Sequence, residues 1–150
     1  MKTYPEGLGV FHGHVLIVDD LANWRETLSE VLSADGQMVY AASDPTEALR
    51  IVAEKPIDVA ILDLRLEDKD FYDVRGMHLL QEIRKISPRT RVLMMTGFPS
   101  DGFLDKVLTV YRVDGFWLKN PVDTPFSIKD FRQEIRLLVE KAKSPSGDGV

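Results

Sequence analysis

His14-Val15-Leu16-Ile17-Val18-Asp19-Asp20 is the stretch on which the reading of this fold turns. A short apolar, β-branched run that stops abruptly at two acids is the signature of a buried strand carrying carboxylates at its carboxyl end. Downstream, Trp24, Leu28, Val31 and Leu32 recur at helical spacing, and the pattern stops at Ala34-Asp35-Gly36, where glycine can take a left-handed cap. Gln37 to Ala42 reads as a second strand. In Ser43-Asp44-Pro45-Thr46-Glu47, Asp44 serves as N-cap, Pro45 as first helical residue and Glu47 as return partner, so a helix runs from there to about Lys55. Pro56 breaks it, and Ile57 to Leu62 forms a third strand that again delivers an acid, Asp63.

The alternation continues to the end of the chain. Met77, Leu80, Ile83 and Ile86 mark a helix, Arg91 to Thr96 a strand, and Gly97-Phe98-Pro99 a break. Asp101 to Tyr111 gives a shorter helix, Gly115 to Lys119 a fifth strand, and Ser127 caps a last helix carrying Phe131, Ile135, Leu138 and Val139. Five strand-helix units with near-continuously apolar strands predict an α/β fold: a single doubly wound, five-stranded parallel sheet with helices on both faces. Residues 14–143 form the domain, 1–13 a flexible lead-in, and 144–150 a disordered tail or the start of a linker.

Bulk properties narrow the function. The chain has 150 residues, 44% hydrophobic and 29% charged, enough for one sizeable core. It has no cysteine, which excludes disulfides and thiolate chemistry and fits a reducing, cytoplasmic setting. A formal charge of −5 argues against direct nucleic-acid binding, which needs clustered Lys and Arg. No apolar run reaches membrane-spanning length, and Met1 to His14 does not read as a secretory signal.

Ligands of such sheets bind at the carboxyl ends of the strands. Asp19 and Asp20, Asp63, Thr96 and Lys119 fall at the ends of strands one, three, four and five, whereas strand two ends in Ala41-Ala42-Ser43 and supplies no charge. That selectivity is what marks the rim as a site.

Through Val18-Asp19-Asp20, Ile61-Leu62-Asp63, Met95-Thr96-Gly97 and Phe116-Trp117-Leu118-Lys119, in that order, the chain resembles the receiver domain of bacterial two-component response regulators, over roughly His14 to Lys141. The resemblance implies a flavodoxin-like (CheY-like) strand order 2-1-3-4-5. It implies a signalling domain and not an enzyme in the usual sense: Asp63 accepts a phosphoryl group from a histidine kinase or histidine phosphotransfer protein with Mg2+ as cofactor. Asp20 and Asp63 coordinate the metal, Asp19 holds a metal-bound water, and the Arg65 backbone carbonyl completes the protein's share. Lys119 and Thr96 contact the phosphoryl oxygens, and Phe116 occupies the place of the aromatic switch residue. The output face, toward a downstream effector or a phosphorylation-dependent homodimer, is then the fourth helix, fifth strand and fifth helix.

Other readings weigh less. Asp19 alone is a common N-cap, but capping does not call for two acids in a row. Phe116 alone is more often core, and Lys119 alone a solvated strand end. His12 and His14 have no third metal ligand near them, and Gly7-Leu8-Gly9 with Gly13 precedes the strand that a phosphate loop should follow. A haloacid-dehalogenase-type hydrolase wants a second acid where Arg65 stands, and a flavodoxin-type cofactor site would be repelled by Asp19 and Asp20. The rival is a pseudo-receiver, folded but used only for protein interaction. Two departures from the family pattern keep it in play: the long acidic stretch from Glu67 to Arg75, without the usual proline, and Asn120 standing between Lys119 and Pro121.

Overall fold

The computed structural model describes residues 13–63, 75–97, 112–119 and 126–144. Five parallel strands, β1 (His14–Val18), β2 (Met38–Ala42), β3 (Val59–Asp63), β4 (Arg91–Thr96) and β5 (Gly115–Leu118), form one sheet in the order β2-β1-β3-β4-β5. Helices α1 (Ala22–Ala34), α2 (Pro45–Glu54), α3 (Arg75–Ile86) and the C-terminal helix (Ile128–Lys143) connect or cover them. The predicted fold class and the strand order implied by the resemblance are both observed. The helix expected over 101–111 lies outside the described residues.

Side-chain alternation along the strands divides the core into two layers. Leu16, Val18, Ala60, Leu62, Val92 and Met94 pack with α2 and α3 through Ile51, Val52, Leu80 and Ile83. Val15, Ile17, Val59, Ile61, Leu93 and Met95 pack on the other face with α1 and the C-terminal helix through Leu28, Leu32, Phe131 and Ile135. Burying each of these larger side chains contributes about 1.5–3 kcal/mol, which is why the central strands read as unbroken apolar runs.

Local signals behave as their chemistry requires. Gly36 takes φ 93° after α1, and the Gln37 amide donates to the Leu32 carbonyl at 3.0 Å, closing the helix with a left-handed residue. The Asp44 carboxylate accepts from the Glu47 amide at 2.9 Å, while the Glu47 carboxylate reaches the Ser43 amide, one residue before the cap. Ser127 accepts from the Asp130 amide at 3.2 Å.

Boundaries shift where side chains compete for the backbone. β3 starts at Val59, two residues later than the apolar run suggests, because the Asp58 carboxylate is turned onto the His14 amide at 2.8 Å. Gly13, assigned to the flexible lead-in, is buried, and its carbonyl accepts from the Met38 amide at 2.8 Å. A Cβ there would meet Val139 Cγ1 at 2.5 Å, so close approach of the C-terminal helix accounts for the glycine. His14 stacks on Tyr40 at 6.0 Å between centroids, while His12 lies outside the described residues.

Candidate functional site at the carboxyl edge of the sheet

The register of the sheet assembles the site. Val18 of β1 pairs with Leu62 of β3, so Asp19 and Asp63, each one residue further on, end side by side. Asp63 pairs with Met95, and Thr96 with Leu118, which brings Lys119 to the same rim; its amide donates to the Thr96 carbonyl at 3.0 Å. The period-two alternation then sorts the side chains. Asp19, Asp63 and Lys119 continue the rows of Ile17, Ile61 and Trp117, on the α1 side, whereas Thr96 continues the row of Met94, on the α2–α3 side.

Lys119 is the centre of the arrangement. Its Nζ lies 2.7 Å from Asp63 Oδ2 and 2.6 Å from Asp19 Oδ2, and all three residues are buried. Asp20 is exposed, yet a carboxylate oxygen from each of Asp19, Asp20 and Asp63 falls within 4.8 Å of the others. Three carboxylates and one ammonium sum to two formal negative charges. At an effective dielectric near 20, two unit charges about 4 Å apart repel by roughly 4 kcal/mol, so this rim favours a further cation. Three oxygen donors of a hard type fit a magnesium-like ion.

Backbone contacts fix the acids in place. The Asp19 amide donates to the Ala42 carbonyl at 3.1 Å, and Asp19 Oδ1 accepts from the Leu21 amide at 2.9 Å. Leu21, not Asp19, holds the N-cap position of α1, so that carboxylate makes a local turn and is not the helix cap. Arg25 Nη1 donates to the Asp19 carbonyl at 2.8 Å. Thr96 is 1% exposed, and Phe116 is half-buried against the α2–α3 layer, on the same side of the sheet as Thr96.

Five of the seven sequence-chosen residues, Asp19, Asp20, Asp63, Thr96 and Lys119, meet at one rim. Phe116 lies three residues below it on β5. Arg65, the long loop and Asn120 lie outside the described residues. The sequence reading missed Trp24, whose ring centroid lies 5.2 Å from Lys119 Nζ. Its signal was available: Trp24 stands four residues after Asp20, one helical turn from the acids.

Comparison with known proteins agrees with this geometry. Residues 15–125 match the family described as the response regulator receiver domain. The chain is 32% identical over 110 residues to the transcriptional regulatory protein GlrR of Escherichia coli, a match covering 73% of this chain and 23% of that protein. It is 35% identical over 129 residues to the probable transcriptional regulator ycf27 of Guillardia theta, covering 85% of this chain and 45% of that one. It therefore spans less than half the length of these relatives. Among solved structures, a CheY-like receiver domain protein from Methanospirillum hungatei superposes with a TM-score of 0.73 at 23% identity, over 87% of this chain and 96% of that one, a likeness of fold. With a family match over most of its length, a 2-1-3-4-5 sheet and three clustered acids at the carboxyl rim, two of them paired with a lysine, the chain belongs to the response regulator receiver domain family.

Proposed function

We propose that this chain is a phosphoacceptor signalling switch in which Asp63 takes a phosphoryl group from a histidine kinase or histidine phosphotransfer protein in a Mg2+-dependent reaction. The observation that carries the reading is Lys119 spanning Asp63 and Asp19 at hydrogen-bond distance, with Asp20 alongside. In the step, an Asp63 carboxylate oxygen forms a bond to phosphorus. The donor's phosphorus–nitrogen bond breaks, and the imidazole leaves with the electron pair.

Asp19, Asp20, Asp63 and the backbone carbonyl of Arg65 are the groups that would hold magnesium, which supplies the positive charge that lets a carboxylate approach an anionic donor. Lys119 stays on the acceptor side and donates to a phosphoryl oxygen, and the Thr96 hydroxyl donates to another. The product carries about −1.5 to −2 charge and three acceptor oxygens, so it draws on Thr96 in a way the bare carboxylate does not. Thr96 and Phe116 lie on one side of the sheet, which suits a switch passing from one to the other as a two-state population shift. The face around β5 and the C-terminal helix would then meet an effector or a second copy. In this reading the receiver spans 14–143 and works in the cytoplasm; among the described residues no helix is long and apolar enough to cross a membrane. The phosphorylation-independent reading rests on the long loop and on Asn120.

The test is incubation with acetyl phosphate, with and without magnesium, followed by intact mass. The parent is expected to gain one phosphoryl group only with magnesium, and Asp63→Asn none. An unmodified parent under both conditions would remove the reading, and uptake by Asp63→Asn would move the acceptor elsewhere.

A further inference from the structure

Both ion pairs that the Lys119 ammonium makes among the described residues end on oxygens that the proposed reaction commits elsewhere: Asp63 becomes the acyl phosphate, and Asp19 belongs to the metal-binding set. A lysine that must stay put through that exchange needs a partner whose hold does not change. Trp24 is such a partner. Its ring centroid lies 5.2 Å from Nζ, within the range of a cation–π contact, at a site where Lys119 is 5% exposed. The ring is itself braced. Phe126 meets it edge-on at 5.6 Å and 72°, and Phe126 packs on Trp117 at 5.3 Å and on Phe131 at 5.5 Å. Trp117 is anchored in turn by its Nε1 donating to Glu134 Oε1 at 2.9 Å.

We propose that Trp24 is a positioning residue for Lys119, holding the ammonium at the rim with its ring face when the two carboxylates change partners. The inference rests on the phosphoacceptor reading. An indole suits the task because it attracts a cation without adding negative charge. Another carboxylate there would hold Lys119 as well, but it would repel the incoming phosphoryl group. The aromatic chain also ties the ring to the C-terminal helix through Phe126 and Phe131.

The test compares Trp24→Phe and Trp24→Leu with the parent in two measurements. In the absence of donor, the Lys119 side-chain methylene protons should show an upfield ring-current shift by NMR, kept in part by the Phe variant and lost in the Leu variant. With magnesium and acetyl phosphate, the maximal rate of phosphoryl uptake should fall about 2- to 30-fold in Trp24→Leu, with Trp24→Phe between the two and the half-saturating magnesium concentration little changed. Uptake by Trp24→Leu at the parent's rate would overturn the inference while leaving the phosphoacceptor reading intact. Equal losses in both variants that track their melting temperatures would overturn it too, as packing alone. A parent that takes up no phosphoryl group fails the underlying reading, and the inference with it.

Discussion

Two ion clusters at opposite ends of α1 are near mirror images in charge. At the carboxyl rim one cation, Lys119, sits between two anions, Asp19 and Asp63. At the other end one anion, Asp35, sits between two cations of the C-terminal helix: Arg132 Nη2 donates to Asp35 Oδ1 at 2.8 Å, and Arg136 donates to both carboxylate oxygens. The difference lies in exposure and in the sum. At the rim Lys119, Asp19 and Asp63 are all buried and the exposed Asp20 adds a third acid, so negative charge is in excess. Around Asp35 only the carboxylate is buried, its side chain 3% exposed against 40% and 48% for the arginines, whose charge satisfies it with some to spare. The first arrangement has capacity for an incoming cation. The second joins α1 to the C-terminal helix, and its acid needs no further partner.

Removing charge from each cluster should therefore have opposite consequences, and the sharpest contrast is functional. Lys119→Met is expected to cut the rate of phosphoryl uptake by about 10²- to 10³-fold, the usual loss when one preorganised electrostatic group is removed. Arg136→Met should leave that rate unchanged; acetyl phosphate time courses followed by intact mass compare them directly.

Next comes stability without magnesium. Asp35→Asn should lower the unfolding free energy by about 1–2 kcal/mol, because a buried carboxylate accepting charged hydrogen bonds from two largely solvated arginines is replaced by a weaker, neutral acceptor. Asp63→Asn should leave it level or raise it by about 1 kcal/mol, since repulsion from two acids offsets the Lys119 attraction. Urea midpoints read both, and a loss of more than about 2 kcal/mol in Asp63→Asn would show that the rim too is a structural clasp. Added magnesium should raise the melting temperature of the parent and of Asp35→Asn but not of Asp63→Asn.

The acid range probes the Asp35 cluster from another side. Burial alone would raise the Asp35 carboxyl above its ordinary value of 3.8, but the hydrogen bonds and charges of Arg136 and Arg132 outweigh it and hold it lower. A carboxyl depressed in the folded state contributes stability that is complete above its unfolded value and is lost as pH falls through the folded one. Urea midpoints taken from about pH 5 downward should thus fall more steeply in the parent than in Asp35→Asn. The smallest expected effect is that of Arg132→Ala, about 0.5–1 kcal/mol, because its charge is substantially solvated and Arg136 remains in place.

Most of the architecture was readable from the chain because its signals are local. Each strand is a short apolar run, and α2 is announced by Asp44-Pro45 and α1's end by Gly36, features whose consequences lie within a few residues. The candidate site was legible for a similar reason: a strand's last residue sits at the sheet's carboxyl edge wherever that strand goes, so Asp19, Asp63 and Thr96 were placed by position alone. The late start of β3 was not legible, since it depends on Asp58 reaching His14, 44 residues away. Nor was Gly13, whose need for glycine comes from Val139 on the far side of the chain.

The succession of strands and helices, the doubly wound class and the acids at the strand ends are written in the chain, because backbone propensity, capping and the period of apolar residues act at short range. Packing alone set which of the rim residues meet across the sheet and what braces them from the helices. Lys119 was brought between Asp19 and Asp63, Trp24 was brought over Lys119, and Asp35 was clasped by two arginines about a hundred residues away. Those outcomes follow from strand register and helix packing, which bring distant residues within a few ångströms and leave no mark on either segment alone.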